Sequence, residues 1–397
     1  MEKVRVGIIG VGNMGSTHFK SVIGGKVPGL EVAAIADRRP SRLEWAASYF
    51  AEAKENGKTS NGDYKAFSEG SDLIASGTCD AVLICIPHYF HPPMAVDAFR
   101  HGLHVMCEKP AGVYTLQVRE MMAEADRHPE LVFGMMFNQR TNHVYRKMRE
   151  IIRSGELGSI RRTSWIITTW YRSQFYYDSG DWRATWSGEG GGVLLNQCPH
   201  QLDLWQWICG MPVLIDAHMK YGKWHDIEVE DDVTAYCEYA NGATGTFITS
   251  TGDAPGTNRF EVVCDGGTLV CDSKTLTLAR LDVPLDKFDG RAAGSAFAHP
   301  NSTLSEVETD GENPQHNGVL RAFADAILHG GKLVADGREG IFGLTVSNAM
   351  HLSAWLGHEV EIPFDEALFR DELMKRAASS RRKGTVTEVT SNTDGTY

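Results

Sequence analysis

No stretch of the 397-residue chain approaches the roughly 20 uninterrupted apolar residues that span a bilayer, so a membrane protein is excluded. Paired cysteines are missing too. Cys79, Cys85, Cys107, Cys198, Cys209, Cys237, Cys264 and Cys271 are scattered through apolar surroundings without CxxC spacing, as reduced core residues rather than a disulfide framework or zinc cage. A basic excess is likewise absent. With 39 Lys and Arg against 51 Asp and Glu, the net charge is −12, which argues against a nucleic-acid partner. Arg161-Arg162 and the basic cluster at 379–383 are the only dense basic spots and read as solvated surface. The N-terminus, MEKVRVGIIGVG, lacks the three regions of a secretory signal, so a cytoplasmic location is expected.

What is present is a globular composition, 42% hydrophobic and 23% charged, on a chain long enough for two cores. The β-branched run at 4–9 leads directly into Gly10-Val-Gly12-Asn13-Met14-Gly15. This is a strand feeding a glycine turn and a helix from Asn13. Gly10 permits the turn, Gly12 lets backbone approach a pyrophosphate, and Gly15 lets helix pack on strand, with the helix N-terminus facing the phosphates. A second strand, 31–36, ends at Asp37, whose carboxylate suits a ribose diol and repels a 2′-phosphate. NAD is therefore expected over NADP, although Arg38, Arg39 and Arg42 offer partners for a phosphate or an adenine.

Further strands at 79–86 and 103–107 end at Ile86-Pro87-His88-Tyr89-Phe90-His91 and at Glu108-Lys109-Pro110. Strands alternating with helices imply a parallel, doubly wound Rossmann sheet with ligands at the carboxyl ends of its strands, so these loops and Asn138 aim at one crevice. Lys109 is either a surface lysine at a turn or a crevice lysine whose pKa burial and a nearby cation would lower.

Beyond 158 the hydrophobic period changes to two: 160–169, 233–239, 245–251, 259–264, 268–271 and 275–278 read as strands, with a turn at Asn241-Gly242. A C-terminal α+β domain with a large, mostly antiparallel, open-faced sheet is expected. One face would be covered by helices and the other would pair with another subunit. The expected domains are 1–137, 138–370 and a polar tail at 371–397.

Between these strands lies GGGVLLNQCPHQLD, residues 190–203. Asn196 suits an N-cap, Pro199 a first turn and Gly210 a helix stop. Cys198, His200 and Asp203 diverge on a helix, which argues against a metal site or a Cys-His nucleophile. No metal is expected. His200 near a helix start would be a neutral proton acceptor, and Asp203 would either orient it or form a salt bridge. Upstream, Tyr171-Arg172, Tyr176-Tyr177 and Trp182-Arg183 combine rings with a guanidinium fork, either closing a core or stacking on a sugar. His316 opens a late helix and could reach the pocket.

The order VGIIGVGNMG, Asp37, IPHYFHPPMA and CEKPAG resembles the glucose-fructose oxidoreductase / inositol dehydrogenase (Gfo/Idh/MocA) family, to about residue 370. The resemblance implies that Lys109 and His200 are catalytic, that Lys109-Pro110 is cis, and that Trp182 and Arg183 border the nicotinamide and substrate. It also implies a homodimer or homotetramer through the C-terminal sheet. The family pattern Asp-x-x-x-His is met at His200, but Asn196 stands at the aspartate position. An amide cannot take a proton, so Asn196 is assigned a hydrogen bond to a substrate hydroxyl. Lys109, Tyr171, Arg183, Asn196, His200 and His316 form the expected substrate set. The function implied is hydride transfer between NAD and a secondary alcohol of a sugar, inositol or glycoside, extending to ring C3 of glucosides. The alternative is a non-catalytic NAD-binding sensor or partner subunit.

Overall fold

The computed structural model describes residues 3–292, 294–381 and 383. Six parallel strands form the first sheet: β1 (Val4–Ile9), β2 (Leu30–Ala36), β3 (Lys65–Phe67), β4 (Ala81–Ile84), β5 (His104–Cys107) and β6 (Phe133–Met135), in the order 3-2-1-4-5-6. Both faces of the central strands are covered, which is why β4 reads as the unbroken apolar run AVLI. On one face Val4, Val6 and Ile8 share a core with Phe19 and Val22 of helix Asn13–Ile23 and Phe50 of helix Pro40–Glu55. The opposite face, with Ile9, Val82, Ile84 and Val105, is continuous with the core of the second sheet.

That sheet has nine strands: β7 (Ile160–Ile167), β8 (Leu214–Tyr221), β9 (Glu230–Glu238), β10 (Thr244–Ser250), β11 (Asn258–Cys264), β12 (Gly267–Asp272), β13 (Thr275–Leu281), β14 (Ser302–Glu306) and β15 (Val360–Glu361). Their order is 14-13-12-11-7-10-9-8-15, antiparallel except for the β7/β10 pair. Alternation along β10 buries Gly245 and Phe247 and leaves Thr244 and Thr246 partly open. The buried face carries helices His143–Ser154, Pro199–Cys209 and Gly340–Leu356. Trp205 stacks on Phe247 at 5.3 Å between ring centroids and donates from Nε1 to Thr163 Oγ1. The expected strands recur within a few residues.

Three departures from the sequence reading affect the site. The expected helix from Asn196 starts at Pro199 with Cys198 as its cap, because the preceding turn closes first on the Gly192 carbonyl, through the amides of Leu195 and Asn196. Helix Gln315–His329, assigned to the second domain, buries Val319, Leu320 and Phe323 in the core of the first sheet. The tail expected from 371 is helical to Ala378, because helix Glu366–Ala378 buries Phe369 and Leu373. Residues 384–397 of that tail lie outside the described residues. Among the described residues, no helix is long and apolar enough to cross a membrane.

Candidate active site

The glycine turn between β1 and the first helix is shaped by exclusion. Gly10 has φ +89°, and a Cβ there would lie 2.5 Å from the Cys85 carbonyl oxygen. At Gly15 a Cβ would fall 1.8 Å from the Gly10 carbonyl oxygen. Gly12 differs, since its Cβ would meet only Arg39 Nη2, at 3.8 Å. Two glycines therefore close the fold and the third leaves backbone open to a ligand. With Asn13 and Met14 at the start of the helix, this surface fits a dinucleotide pyrophosphate.

Asp37, at the end of β2, accepts from the Val11 amide at 2.8 Å and from the Arg39 amide at 2.9 Å. It braces the turn and still lines the crevice. Of the three arginines set against it, Arg42 donates to the Val11 carbonyl and Ser16 Oγ at 2.7 and 2.6 Å, Arg39 packs on Asp37, and Arg38 pairs with Glu69 at 2.9 Å. Asp37 and Glu69 give the ribose end an acidic rim, which suits NAD.

The other strand ends supply the reacting end of a crevice of about 740 Å³. Ile86, Pro87, His88 and His91 follow β4, and Glu108 and Lys109 follow β5. His91 has Nδ1 2.7 Å from the Pro110 carbonyl oxygen and Nε2 2.7 Å from that of Ile86, so it ties the two loops together. His88, not assigned from sequence, faces the crevice beside Trp182. Burial, with the charges of His91 and Lys109, holds His88 well below the usual histidine range. The Lys109-Pro110 bond is cis, as the family resemblance implies.

The connection after β7 and the helix Pro199–Cys209, which packs on the second sheet, provide the opposite wall through Trp170, Arg172, Tyr176, Trp182, Arg183, Asn196, Gln197 and His200. Arg183 lies 4.6 and 4.7 Å from the ring centroids of Tyr176 and Trp182 and donates to the Tyr176 hydroxyl at 2.8 Å. Lys109 Nζ donates to the Asn196 carbonyl at 3.0 Å, linking the two walls. His200 shares the crevice with Lys109. Burial, then the Lys109 and His316 charges, keep its imidazole neutral. Burial also lowers the Lys109 pKa, opposed by Glu108 and Glu189.

Four expected residues do not line the crevice. Tyr171 is 53% exposed and points outward between Trp170 and Arg172, as alternate side chains of an extended segment do. Asn138 is fully buried and donates to Gln315 Oε1 at 2.5 Å. Gly15 sits beneath the turn, where it permits close packing. His316 lies beside the pair His18 Nε2 and Glu108 Oε1 (2.7 Å), with its ring centroid 5.6 Å from that of His18. Asp203 does not orient His200. It takes a two-pronged salt bridge from Arg140 at 2.7 and 2.8 Å, because the helix turns that side chain away from the crevice.

Sequence reasoning also missed Glu189. It is 1% exposed, accepts from the Ala184 amide at 2.5 Å and accepts from Asn196 Nδ2. The available signal was a lone carboxylate inside a glycine run, Gly188-Glu189-Gly190-Gly191-Gly192. The glycines themselves serve packing. Glu230 takes the amides of Gly192 and Leu194 at 2.8 and 3.0 Å, and a Cβ on Gly192 would lie 2.1 Å from the Glu230 carbonyl oxygen.

Compared with known proteins, residues 4–135 match the model of the oxidoreductase family with an NAD-binding Rossmann fold, and residues 145–270 match the GFO/IDH/MocA C-terminal domain. The chain belongs to the GFO/IDH/MocA oxidoreductase family. Its cofactor is NAD. The rhizopine catabolism protein MocA of Rhizobium meliloti is 28% identical over 53% of this chain, and the match spans only 58% of that relative's length. The D-glucoside 3-dehydrogenase of Escherichia coli is 25% identical over 90% of this chain and 97% of its own. Among solved structures, the WlbA dehydrogenase of Bordetella pertussis, in complex with NADH and UDP-GlcNAcA, covers 91% of this chain and 100% of its own at 23% identity and TM-score 0.73. That likeness concerns the fold.

Proposed function

We propose that the protein moves a hydride between NAD and a secondary alcohol of a sugar, inositol or glycoside, with Lys109 and His200 handling the hydroxyl proton. The observation that carries this reading is the meeting of Lys109, which follows β5 of the first sheet, with Asn196 and His200, at the start of the helix that covers the second, at the ends of the Rossmann strands. NAD, held by the backbone at Gly10, Gly12 and Asn13 and by Asp37, supplies the hydride acceptor when bound. The remaining work belongs to the chain. Arg183, Tyr176 and Trp182 offer rings and a donor fork to a polyhydroxylated ring. Lys109 is placed to donate to or accept from the reacting oxygen, and neutral His200 can take the released proton. Asn196 contributes a hydrogen bond but no proton transfer.

Similarity to the D-glucoside 3-dehydrogenase over nearly the whole chain supports oxidation at ring C3 of a glucoside. Incubation with NAD and a panel of inositols, aldoses and glucosides at alkaline pH, followed by NADH absorbance and mass spectrometry of products, tests it. Formation of a keto-glucoside is expected. Silence across the panel with NAD binding intact, including in single-turnover product analysis, would leave a nucleotide-binding sensor.

The same reading places residues 1–137 as the cofactor domain and 138–370 as the substrate domain, with helix Gln315–His329 packed back onto the first. It takes the open face of the nine-stranded sheet as the contact of a homodimer or homotetramer, which light scattering measures. Eight free cysteines fit a cytoplasmic protein.

A further inference from the structure

The Asn196 side chain has two chemically opposite ends, and the fold decides which one a substrate meets. Its Nδ2 donates to Glu189 Oε1, its backbone carbonyl accepts from Lys109 Nζ, and the residue lines the crevice. With Nδ2 engaged, Oδ1 is the atom left for a ligand. Glu189 is fixed from its other oxygen by the Ala184 amide. Ala184 stands at φ +54°, in the left-handed region that alanine disfavours, directly after Arg183. One buried carboxylate therefore clamps both the Trp182-Arg183 loop and Asn196.

We propose that Glu189 is a positioning residue that holds the Asn196 amide with its carbonyl oxygen toward the crevice, so that this point of the site selects a hydroxyl donating a hydrogen bond. The inference rests on the proposed polyol reading and names one determinant of its substrate.

Burial raises the Glu189 pKa, and Arg183, the Ala184 amide and Asn196 oppose it, a donor set that matches a carboxylate. Each oxygen receives an N–H. A glutamine at this position can satisfy the Ala184 amide only with its oxygen. Its NH2 then faces Asn196, whose amide must rotate to offer Oδ1, and Nδ2 turns into the crevice. The acceptor becomes a donor. Charges near Glu189 come from Lys109 and Arg183 on the crevice walls, Glu230 of β9 and Lys383 of the C-terminal segment, with the Tyr177 hydroxyl and His88 as further titratable neighbours. Glu189 supports the protonation of both Lys109 and Lys383, and of the two only Lys109 lines the crevice. Loss of the Glu189 charge should therefore favour the Lys109 amine.

The test uses the full-length protein, NAD and methyl α-D-glucopyranoside, with wild type, Glu189→Gln, Asn196→Asp and the double variant. In Glu189→Gln, kcat/KM is expected to fall about tenfold or more, as for a buried hydrogen bond mismatched by roughly 1.4 kcal/mol. NAD affinity and Tm should stay near wild type, and the rising limb of the pH profile should move to lower pH. In the double variant, the introduced glutamine accepts from the Ala184 amide and donates to the introduced aspartate, so an acceptor again faces the crevice and kcat/KM recovers.

Side-chain amide resonances of Asn196, assigned by their loss in Asn196→Asp, provide a reading free of turnover. They should shift strongly in Glu189→Gln. Unchanged resonances, or unchanged kinetics and pH profile in Glu189→Gln, or a double variant no better than the single, would overturn the role of Glu189. A wild-type protein that turns over no polyol while those resonances shift would overturn the proposed function and leave the Glu189 clamp standing.

Discussion

Arg140 and Asp203 form a fully buried ion pair across 63 residues of sequence, with Nε to Oδ2 at 2.8 Å and Nη2 to Oδ1 at 2.7 Å. Arg140 lies in the turn after the first sheet, and Asp203 lies one helical turn beyond His200. A third contact, from Arg140 Nη1 to Glu339 at 2.7 Å, ties in the start of the helix Gly340–Leu356. The pair thus sets the position of the helix carrying His200 relative to the cofactor sheet. Removing one partner of such a pair strands the other charge in the interior. Asp203→Ala is expected to cost about 3–5 kcal/mol, seen as a lowered midpoint in urea, whereas His200→Ala, which strands no charge, should lower the midpoint less.

Lys109 and Asp37 separate chemistry from cofactor binding. Lys109→Ala should lower turnover by roughly 10²-fold or more, the scale of a positioned proton-transfer group, and leave NAD affinity nearly intact. Asp37→Ala should do the reverse, weakening NAD more than turnover at saturation. Fluorescence titration with NADH beside steady-state rates distinguishes them. Equal loss of both properties in Lys109→Ala would sink its assignment.

The glycine turn makes a sharper distinction. In Gly15→Ala the added methyl meets the Gly10 carbonyl at 1.8 Å, so the turn itself must move and Tm should fall. Gly12→Ala adds a methyl whose nearest neighbour is 3.8 Å away, so the free protein should melt as wild type does. Its NAD affinity should nevertheless drop about tenfold or more, because the methyl occupies the approach of the pyrophosphate. Differential scanning fluorimetry with and without NAD measures both.

Legibility in the sequence follows the range of the interaction. The Rossmann strands were readable because buried parallel strands are apolar without interruption. Gly10, Gly12, Asp37 and Lys109 were readable because each sits at a fixed offset from a strand end. The clamp from Glu189 to Asn196 was not, because it spans a loop with no repeating geometry, where no period says which side chains meet. The sequence likewise holds no sign that Arg140, rather than His200, takes Asp203. Helix Gln315–His329 presents an apolar stripe that either sheet could have covered, and only tertiary packing assigns it to the first and so brings His316 beside His18.

That placement makes the fold sensitive to acid. Burial and the charges of His18 and Lys109, opposed by Glu108, lower the His316 pKa to about 4, and burial holds His88 and His200 well below the usual range. A histidine whose folded value is depressed binds its proton more readily in the unfolded chain, so stability is whole above about pH 6.5 and declines as the pH falls below it. The buried His88 and His200 each contribute a slope of up to about 1.4 kcal/mol per pH unit, and the part-buried His316 adds a smaller one that ends at its own folded value of about 4. Glu108 adds a second, lower window. Burial alone would raise its pKa, but the hydrogen bond from His18 and the neighbouring charges bring it to about 2, so its contribution is present above about pH 4.5 and is lost between there and 2. Urea midpoints measured from pH 7.5 to 4 should therefore fall mainly below pH 6.5. His316→Gln should flatten that decline between 6.5 and 4, and Glu108→Gln should leave its upper part in place while destabilising the protein at neutral pH. A decline equally steep in His316→Gln would remove His316 from the set of groups that set the acid limit.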